Sequence, residues 1–269
     1  MQTLEEKYEH LKNIIRDYGR VGIAFSGGVD STLLLKVAHD ILGDDAVAFT
    51  AALRSVPAFE LMDAEAFCKT EGIRRIVCEI NELEVPEFSA NPADRCYYCK
   101  RNVLSKLREA ANGLGITNIA EGSNVDDLGD FRPGRKAVEE FGVSSPLLKA
   151  GLTKDEIRTL SKQLGLPTWD KPAYACLASR VARGDSITEE KLRMIEKAEG
   201  FLMENGFRQM RVRVHGDLAR IEVLPENIER IAKPELRTAL TERFREFGFR
   251  YISLDLDGYK MGSMNPTGA

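Results

Sequence analysis

The sequence predicts an α/β protein: a doubly wound parallel sheet followed by a smaller C-terminal α+β domain. Short apolar runs alternate with helical patterns through the first part of the chain, which is typical of parallel strands covered by helices. The first of these runs leads into a glycine turn and a buried helix. After Thr188 the pattern changes to a helix followed by alternating strands. We therefore expect domains at residues 1–182 and 183–269.

The elements are predicted in order from apolar spacing and turn residues. An N-terminal helix with one apolar face precedes the first domain's strands, predicted at 21–25, 46–51, 74–80 and 117–120. A capping box formed by Thr153 and Glu156 begins that domain's last helix. In the second domain we expect a helix over 192–202, antiparallel strands at 210–214 and 218–224, a helix from Pro234 and a strand at 251–256.

Composition limits the classes of function. The chain has 269 residues, 43% of them hydrophobic, and no apolar run approaches the roughly 18 residues of a membrane span. The first 20 residues carry charges of both signs, unlike a signal or transit peptide, so we expect a cytoplasmic protein. A net charge of −4 argues against a surface built for nucleic acid. Five cysteines without secretory features indicate metal or catalytic use rather than disulfides.

The glycine turn after the first strand predicts a phosphate site. Its two glycines let backbone N–H groups approach an anion, and the following helix directs its positive end to the same place. The order Ser-Gly-Gly-x-Asp-Ser resembles the PP-loop of the ATP pyrophosphatases, which split ATP between its α and β phosphates. The carboxylate of this loop is predicted to bind Mg²⁺. The candidate ATP-binding residues are Ser26, Gly27, Gly28, Asp30, Ser31 and Thr32.

The cysteines form a second candidate site. Cys68 and Cys78 lie within a predicted helix and strand, so we expect them in the core. Cys96 and Cys99 are one turn apart at a predicted helix start, which lowers a thiol's pKa, and Cys176 lies in an irregular loop. A Cys-x-x-Cys pair alone fits a redox pair, half a zinc site or chance. With the third thiolate, a 4Fe-4S cluster is possible, whereas structural zinc needs a fourth ligand.

Three arginines form a third candidate site. Arg211 and Arg213 alternate along a predicted strand and so point the same way, and Arg180 precedes them. Arginines in this arrangement can bind a phosphate bidentately. The same pattern also fits an ordinary solvated face, so the residues alone leave both readings open.

Four segments together carry a resemblance to a family. They are the glycine loop, residues 130–137 (Asp-Phe-Arg-Pro-Gly-Arg-Lys-Ala), residues 176–180 (Cys-Leu-Ala-Ser-Arg) and residues 211–222, and the chain is similar to the LarE sulfur transferases throughout. The resemblance implies the adenine nucleotide alpha hydrolase-like fold of the PP-loop enzymes. It implies ATP-dependent conversion of a pyridinium dicarboxylate mononucleotide to its thiocarboxylate, for the nickel-pincer nucleotide cofactor. It also implies a homo-oligomer, commonly a hexamer.

The same resemblance implies roles for individual residues. The residue matching Cys176 is the family's sulfur source, and some members give up that sulfur and are left with dehydroalanine. This chain is similar to members in which Cys96 and Cys99 join it to hold a 4Fe-4S cluster, which makes the protein a catalyst; the sulfide source stays open. In addition, the resemblance implies that three arginines hold the substrate phosphate, that Glu199 is an acidic residue near the active site and a candidate metal ligand, and that Asp30 serves Mg²⁺.

Three other functions are alternatives to sulfur transfer. A tRNA thiolation enzyme also joins a PP-loop to three cysteines, but the acidic balance and the lack of an evident RNA-binding module argue against it. An NAD synthetase-like amidating enzyme leaves the three cysteines unexplained. A zinc-stabilised nucleotide-binding module without catalytic activity is the third alternative.

Overall fold

The computed structural model describes residues 2–129, 133–172 and 174–260. The helices are α1 (Leu4–Tyr18), α2 (Val29–Leu42), α3 (Ala58–Glu71), α4 (Pro86–Ser89), α5 (Arg95–Asn112), α6 (Gly134–Glu140), α7 (Pro146–Lys149), α8 (Lys154–Gln163), α9 (Glu189–Glu204), α10 (Ile228–Ala232) and α11 (Pro234–Phe247). The strands are β1 (Val21–Ala24), β2 (Ala46–Leu53), β3 (Arg75–Ile80), β4 (Asn118–Ala120), β5 (Met210–His215), β6 (Leu218–Val223) and β7 (Tyr251–Leu254).

The chain divides into two compact units, neither of which is continuous in sequence. Unit 1 comprises Met1–Glu82 and Cys96–Tyr174, and unit 2 comprises Leu83–Arg95 and Ala175–Ala269. The chain therefore passes between the units at three points. The boundary between independently folding domains at residue 182 stays a prediction.

Unit 1 contains a four-stranded parallel sheet in the order β3-β2-β1-β4. Val21 of β1 pairs with Ala46 of β2 on one side and with Asn118 of β4 on the other. All the carboxyl ends therefore lie at one edge, where ligands bind in open α/β sheets. The glycine loop follows β1 and the segment Glu121–Asn124 follows β4 at this edge. The predicted doubly wound parallel sheet is confirmed.

Helices cover both faces of this sheet, each over its own core. On one face Leu33, Leu34 and Leu35 of α2 are fully buried, together with residues of α1, α3 and α8. On the other face Leu104 and Leu107 of α5 pack with residues of α6. The apolar run in α2 explains why this helix is central, because a helix that is apolar on most sides has to be buried.

The predicted capping box begins α8, and a second one begins α1. The Thr153 hydroxyl accepts a hydrogen bond from the Glu156 N–H at 3.3 Å, and the Glu156 carboxylate accepts one from the Thr153 N–H at 2.9 Å. Thr3 and Glu6 form the equivalent pair before α1. Each reciprocal pair satisfies backbone donors that a helix start otherwise leaves unpaired.

Unit 2 contains a three-stranded sheet in the order β5-β6-β7. β5 and β6 are antiparallel, as predicted, and β7 runs parallel to β6 with Leu218 paired to Tyr251. Phe244 of α11 is fully buried and lies 5.7 Å from Phe249, ring centroid to ring centroid. The predicted smaller α+β arrangement is confirmed.

Asn91 joins the two segments of unit 2. It has a φ of 55° and is buried, and its side-chain amide donates to the carbonyls of Ala182 at 2.8 Å and Asp185 at 3.1 Å. Its side-chain oxygen accepts a bond from Arg95 at 2.7 Å. One buried amide thus links main chain that is about ninety residues apart in sequence.

In the part of the chain that the structure describes, no helix combines the length and the apolar character that crossing a membrane requires.

Candidate functional site

The glycine loop lies between β1 and the start of α2. Gly27 has a φ of 75°, a conformation that favours glycine, and a Cβ there would lie 3.3 Å from the Cβ of Ala64 in α3. Gly28 is the N-cap of α2 in an extended conformation. The loop therefore packs closely against α3 and presents the start of a helix, which is a favourable arrangement for binding an anion.

The hydroxyl groups of the loop have different environments. The Ser31 hydroxyl donates to the Gly28 carbonyl at 3.1 Å and lies 3.1 Å from the Ser26 hydroxyl, so it braces the loop. Ser26 is exposed. Thr32 is fully buried, its hydroxyl has no hydrogen-bond partner among the described residues, and it lines a cavity of about 500 Å³ with Phe25 and others. Of the three hydroxyl groups, only that of Ser26 is on an exposed residue.

Asp30 is held by two residues that the sequence did not single out. Its carboxylate forms an ion pair with Lys154 at 2.5 Å and accepts a bond from the Asn124 amide at 3.0 Å. A Cβ on Gly122 would lie 3.0 Å from the Ser31 N, so the segment after β4 lies directly against the start of α2. Each Asp30 oxygen accepts one of these bonds, and a carboxylate oxygen has a second lone pair that can bind a metal ion. The sequence pattern places Lys154 only within a capping box.

The acidic segment that follows β4 has mainly structural contacts. Asp127 accepts a bond from the Asn124 N–H at 3.0 Å, and Asp126 accepts one from the Lys154 N–H at 2.6 Å. These bonds orient Asn124 and cap α8. Residues 130–132 of the motif at 130–137 lie outside the described residues, so nothing is assigned to them.

Glu121 is a buried carboxylate at the end of β4. It accepts bonds from the Ser145 hydroxyl at 2.6 Å and the Ser123 N–H at 3.0 Å, and Lys100 lies 3.6 Å away. Burial acts to raise its pKa, but the charge of Lys100 and these hydrogen bonds outweigh burial, so the pKa is lowered. Lys100 is four residues after Cys96 in α5 and so lies on the same helix face. No pattern in the sequence indicates this pair.

The cysteines lie in four places. Cys96 is exposed and Cys99 half-buried, one turn apart at the start of α5 as predicted. Cys68 is buried in α3, where desolvation raises its pKa to about 11. Desolvation also raises the pKa of Cys78 in β3. All five cysteines are described, and none of them forms a disulfide.

Cys176 lies in unit 2, immediately before a short 3₁₀ turn, Leu177–Arg180. Its carbonyl accepts bonds from the Ser179 N–H at 2.9 Å and from Arg180 at 3.1 Å, so the turn is closed on itself. Within residues 2–129, 133–172 and 174–260, no group of three or more His, Cys, Asp or Glu side chains is arranged to hold a metal ion. The iron–sulfur cluster stays a prediction.

The three candidate arginines are buried in unit 2. Arg180 forms a bidentate ion pair with Glu199, with both N–O distances 2.9 Å. Arg213 forms a second one with Glu222, at 3.0 and 2.9 Å. The solvated-face reading is therefore wrong for this strand, because Arg211 and Arg213 are only 4% and 5% exposed.

Arg211 lies close enough to Arg180, Glu199 and Arg213 for their charges to affect it. Burial lowers its pKa, and the positive charge of Arg180 adds to that effect. Its guanidinium lies 5.0 Å from the centre of the Tyr259 ring. Glu199 also accepts a bond from the Val212 N–H at 3.0 Å. The cluster thus contains three buried arginines and two buried carboxylates. Glu199 was predicted as a site residue, and Glu222 was missed.

No protein-family model matches the sequence. The chain is 45% identical over 262 residues to an uncharacterized protein of Synechocystis sp., covering 97% of this chain and 98% of that protein. It is 36% identical over 269 residues to the pyridinium-3,5-bisthiocarboxylic acid mononucleotide synthase of Lactiplantibacillus plantarum, covering 99% and 96% of the two chains.

The chain is also similar, at lower identity, to a different kind of synthase. The chain is 26% identical over 204 residues to a subunit of the glutamine-hydrolyzing GMP synthase of Thermoplasma volcanium, covering 70% of this chain and 64% of that one. The nearly full-length identity with the mononucleotide synthase, together with the glycine loop at the carboxyl edge of a parallel sheet, shows that the chain is an ATP-dependent enzyme and belongs to the LarE family.

Proposed function

We propose that the enzyme uses ATP to adenylate a carboxylate of pyridinium-3,5-biscarboxylic acid mononucleotide and converts that carboxylate to a thiocarboxylate in nickel-pincer cofactor synthesis. The observation that carries the proposal is the glycine loop at the start of α2, in a chain 36% identical over its length to a pyridinium-3,5-bisthiocarboxylic acid mononucleotide synthase. The name of that relative describes a product with two thiocarboxylates.

The first step activates the carboxylate. A substrate carboxylate oxygen attacks the α-phosphorus of ATP, the bond to the β-phosphate oxygen breaks, and pyrophosphate leaves. Backbone N–H groups at the start of α2 offset the charge that develops on pyrophosphate. We propose that Asp30 would hold Mg²⁺ on the phosphates and that Lys154, its ion-pair partner, would add positive charge beside them.

The second step replaces oxygen by sulfur. A sulfur nucleophile attacks the acyl carbon of the adenylate, the bond to the phosphate oxygen breaks, and AMP leaves. We propose that Cys96, Cys99 and Cys176 hold the sulfide that attacks, since burial raises the thiol pKa of the other two cysteines. In the sacrificial alternative the Cys176 thiolate attacks and forms a thioester; loss of its Cα proton then breaks the Cβ–Sγ bond, which releases the thiocarboxylate and leaves dehydroalanine. The three thiols have the donor chemistry of a 4Fe-4S site with one iron left open. When bound, such a cluster would supply an iron site that carries sulfide.

The substrate phosphate is proposed to bind in unit 2. We propose Arg180, Arg211 and Arg213, all three of them buried, as the residues that hold it. Arg180 and Arg213 each also hold a carboxylate bidentately. The lowered pKa of Arg211 reflects desolvation and a neighbouring positive charge, both of which an anion would relieve. Arg180 and Arg213 then contribute positive charge, while Glu199 keeps Arg180 in place and stays a candidate metal ligand.

We also propose that the protein is a cytoplasmic homo-oligomer, a hexamer by family resemblance. Mass photometry tests the number of subunits.

The test of the activation step is product identification. ATP labelled at the α-phosphate is incubated with Mg²⁺, the enzyme and the pyridinium dicarboxylate mononucleotide. We expect labelled AMP and unlabelled pyrophosphate in equal amounts. Formation of ADP and phosphate would overturn the proposal, and salt-sensitive binding of tRNA would favour the tRNA thiolation enzyme instead.

The sulfur source is tested separately. Anaerobic reconstitution with iron and sulfide should load the wild type and the Cys68→Ala control equally, and the Cys96→Ala variant much less. Equal loading of the Cys96→Ala variant would contradict the cluster. Mass spectrometry after turnover then separates the two sulfur sources, because conversion of Cys176 to dehydroalanine shows sacrificial transfer.

A further inference from the structure

Three hydrogen bonds hold the main chain at Lys171 and beside it. Arg158 of α8 donates to the carbonyls of Trp169 at 2.6 Å and Lys171 at 2.8 Å. The Lys171 N–H donates to the Thr168 carbonyl at 3.1 Å. This segment follows α8 within unit 1, and these three bonds fix where the Lys171 side chain begins.

The Lys171 ammonium has three acceptors. It bonds Glu60 at 2.7 Å and Asp63 at 2.9 Å, both on α3, and lies 3.4 Å from the carbonyl oxygen of Gly27 in the glycine loop. The Lys171 and Glu60 side chains are only 13% and 10% exposed. Burial acts to lower the pKa of Lys171, but Glu60 and Asp63 outweigh burial, so the pKa is raised. The ammonium therefore stays charged at neutral pH.

The contact with Gly27 has a consequence for the next residue. In a trans peptide unit the carbonyl of one residue and the N–H of the next point in opposite directions. An ammonium that attracts the Gly27 carbonyl therefore turns the Gly28 N–H away from that ammonium. Gly27 itself cannot resist a rotation of this peptide through side-chain packing, since it has no side chain.

We propose that Lys171 is a positioning residue of the phosphate loop: it orients the Gly27–Gly28 peptide so that the Gly28 N–H donates to the pyrophosphate that leaves ATP. The inference rests on the proposed adenylation. The role differs from phosphate binding by a lysine, because both carboxylates and the loop carbonyl already occupy the ammonium. It also differs from a simple ion pair, because its effect depends on a backbone carbonyl.

Steady-state pyrophosphate release by Lys171→Ala tests the proposal. A misdirected oxyanion donor should lower kcat by about 10- to 100-fold, which is less than the roughly 100- to 1,000-fold lost when such a donor is removed outright. KM for ATP should change less than about threefold, since the lost interaction belongs to the transition state. Lys162→Ala, which removes a lysine that stacks on Trp169, is the matched control and should keep wild-type values.

Chemical rescue tests whether N–H donors at the place of the Lys171 ammonium restore turnover. The cavity of about 500 Å³ is lined by Gly27, Asp63 and Lys171, so a small amine can enter the space that the variant leaves. Ethylammonium, which has N–H donors, should restore kcat saturably. Tetramethylammonium, which has the charge but no N–H donor, should not.

Three results would overturn the inference: an unchanged kcat, a fall in kcat matched by a rise in KM, or the same response to both amines. If Lys171→Ala does not fold, the double variant Lys171→Ala with Glu60→Gln is used instead, because it also removes the buried carboxylate that would be left without a cation. The double variant should likewise show a lower kcat with a nearly unchanged KM. The wild type serves as the test of the underlying function. If it forms AMP and pyrophosphate while the variant matches it, only the role of Lys171 fails.

Discussion

Arg180 and Glu199 form a buried bidentate ion pair, with Nε–Oε1 and Nη2–Oε2 distances of 2.9 Å. Removing one partner leaves the other charge buried without compensation. Glu199→Ala should therefore lower the free energy of unfolding by about 3–5 kcal/mol, measured by urea denaturation. Glu109→Ala, at an exposed pair with Lys106, should cost at most about 1 kcal/mol. A similar small cost for both variants would contradict this reading.

The two loop glycines should respond differently to alanine. Gly27 has a φ of 75° and close contact with α3, so Gly27→Ala should lower the free energy of unfolding by at least about 1–2 kcal/mol. Gly28 has a φ of −80°, and the nearest atom to an added Cβ is 3.5 Å away. Gly28→Ala should therefore leave stability equal or raise it by up to about 1 kcal/mol. Urea denaturation compares the two, and equal losses would be inconsistent with the loop conformation described.

Thiol alkylation should follow exposure and pKa. At pH 8 a thiol with the pKa of about 11 found for Cys68 is roughly one part in a thousand thiolate. Iodoacetamide should therefore label the exposed Cys96 well before Cys68 in the folded apo-protein, as followed by peptide mass spectrometry. In about 8 M urea, where the chain is unfolded, the difference should disappear. Early labelling of Cys68 in the folded protein would show that α3 opens more readily than its packing indicates.

Stability should decrease in acid through Glu121. Its pKa in the folded protein lies below the ordinary value of 4.5, so the folded state binds the proton less tightly than the unfolded state does. The stabilisation is complete above about pH 4.5 and is lost as pH falls through the lower folded pKa. Urea denaturation between about pH 7 and pH 3.5 should show a smaller decline for Glu121→Gln than for the wild type. Parallel curves would exclude this contribution.

The order of elements could be predicted because its signals are local. A glycine turn after an apolar run, and a threonine three residues before a glutamate, each define a strand or helix end within a few residues. The partners of Asp30 could not be predicted in this way. Asn124 lies 94 residues from it in sequence and meets it because the sheet order places β4 beside β1. Lys154 lies 124 residues away and meets it because α8 packs against α2.

The arginine cluster illustrates a second limit. An alternating pattern such as Arg211 and Arg213 predicts that two side chains share a face, but it cannot distinguish solvent from a buried carboxylate. Glu222 pairs with Arg213 because β6 folds back on β5, and Glu199 comes from a helix. The burial of this charge therefore depends on tertiary structure, for which the alternation of residues carries no signal.

Asn91 has a consequence for how the two units can be inherited or recombined. Its amide connects residues 83–95 to the main chain at 182 and 185, so a fragment that starts at residue 175 lacks these bonds. Exchanging either unit between homologues requires matched junctions at three places in the chain instead of one. Neither unit can therefore be exchanged as one continuous segment, and we expect the two units to have evolved together in one gene.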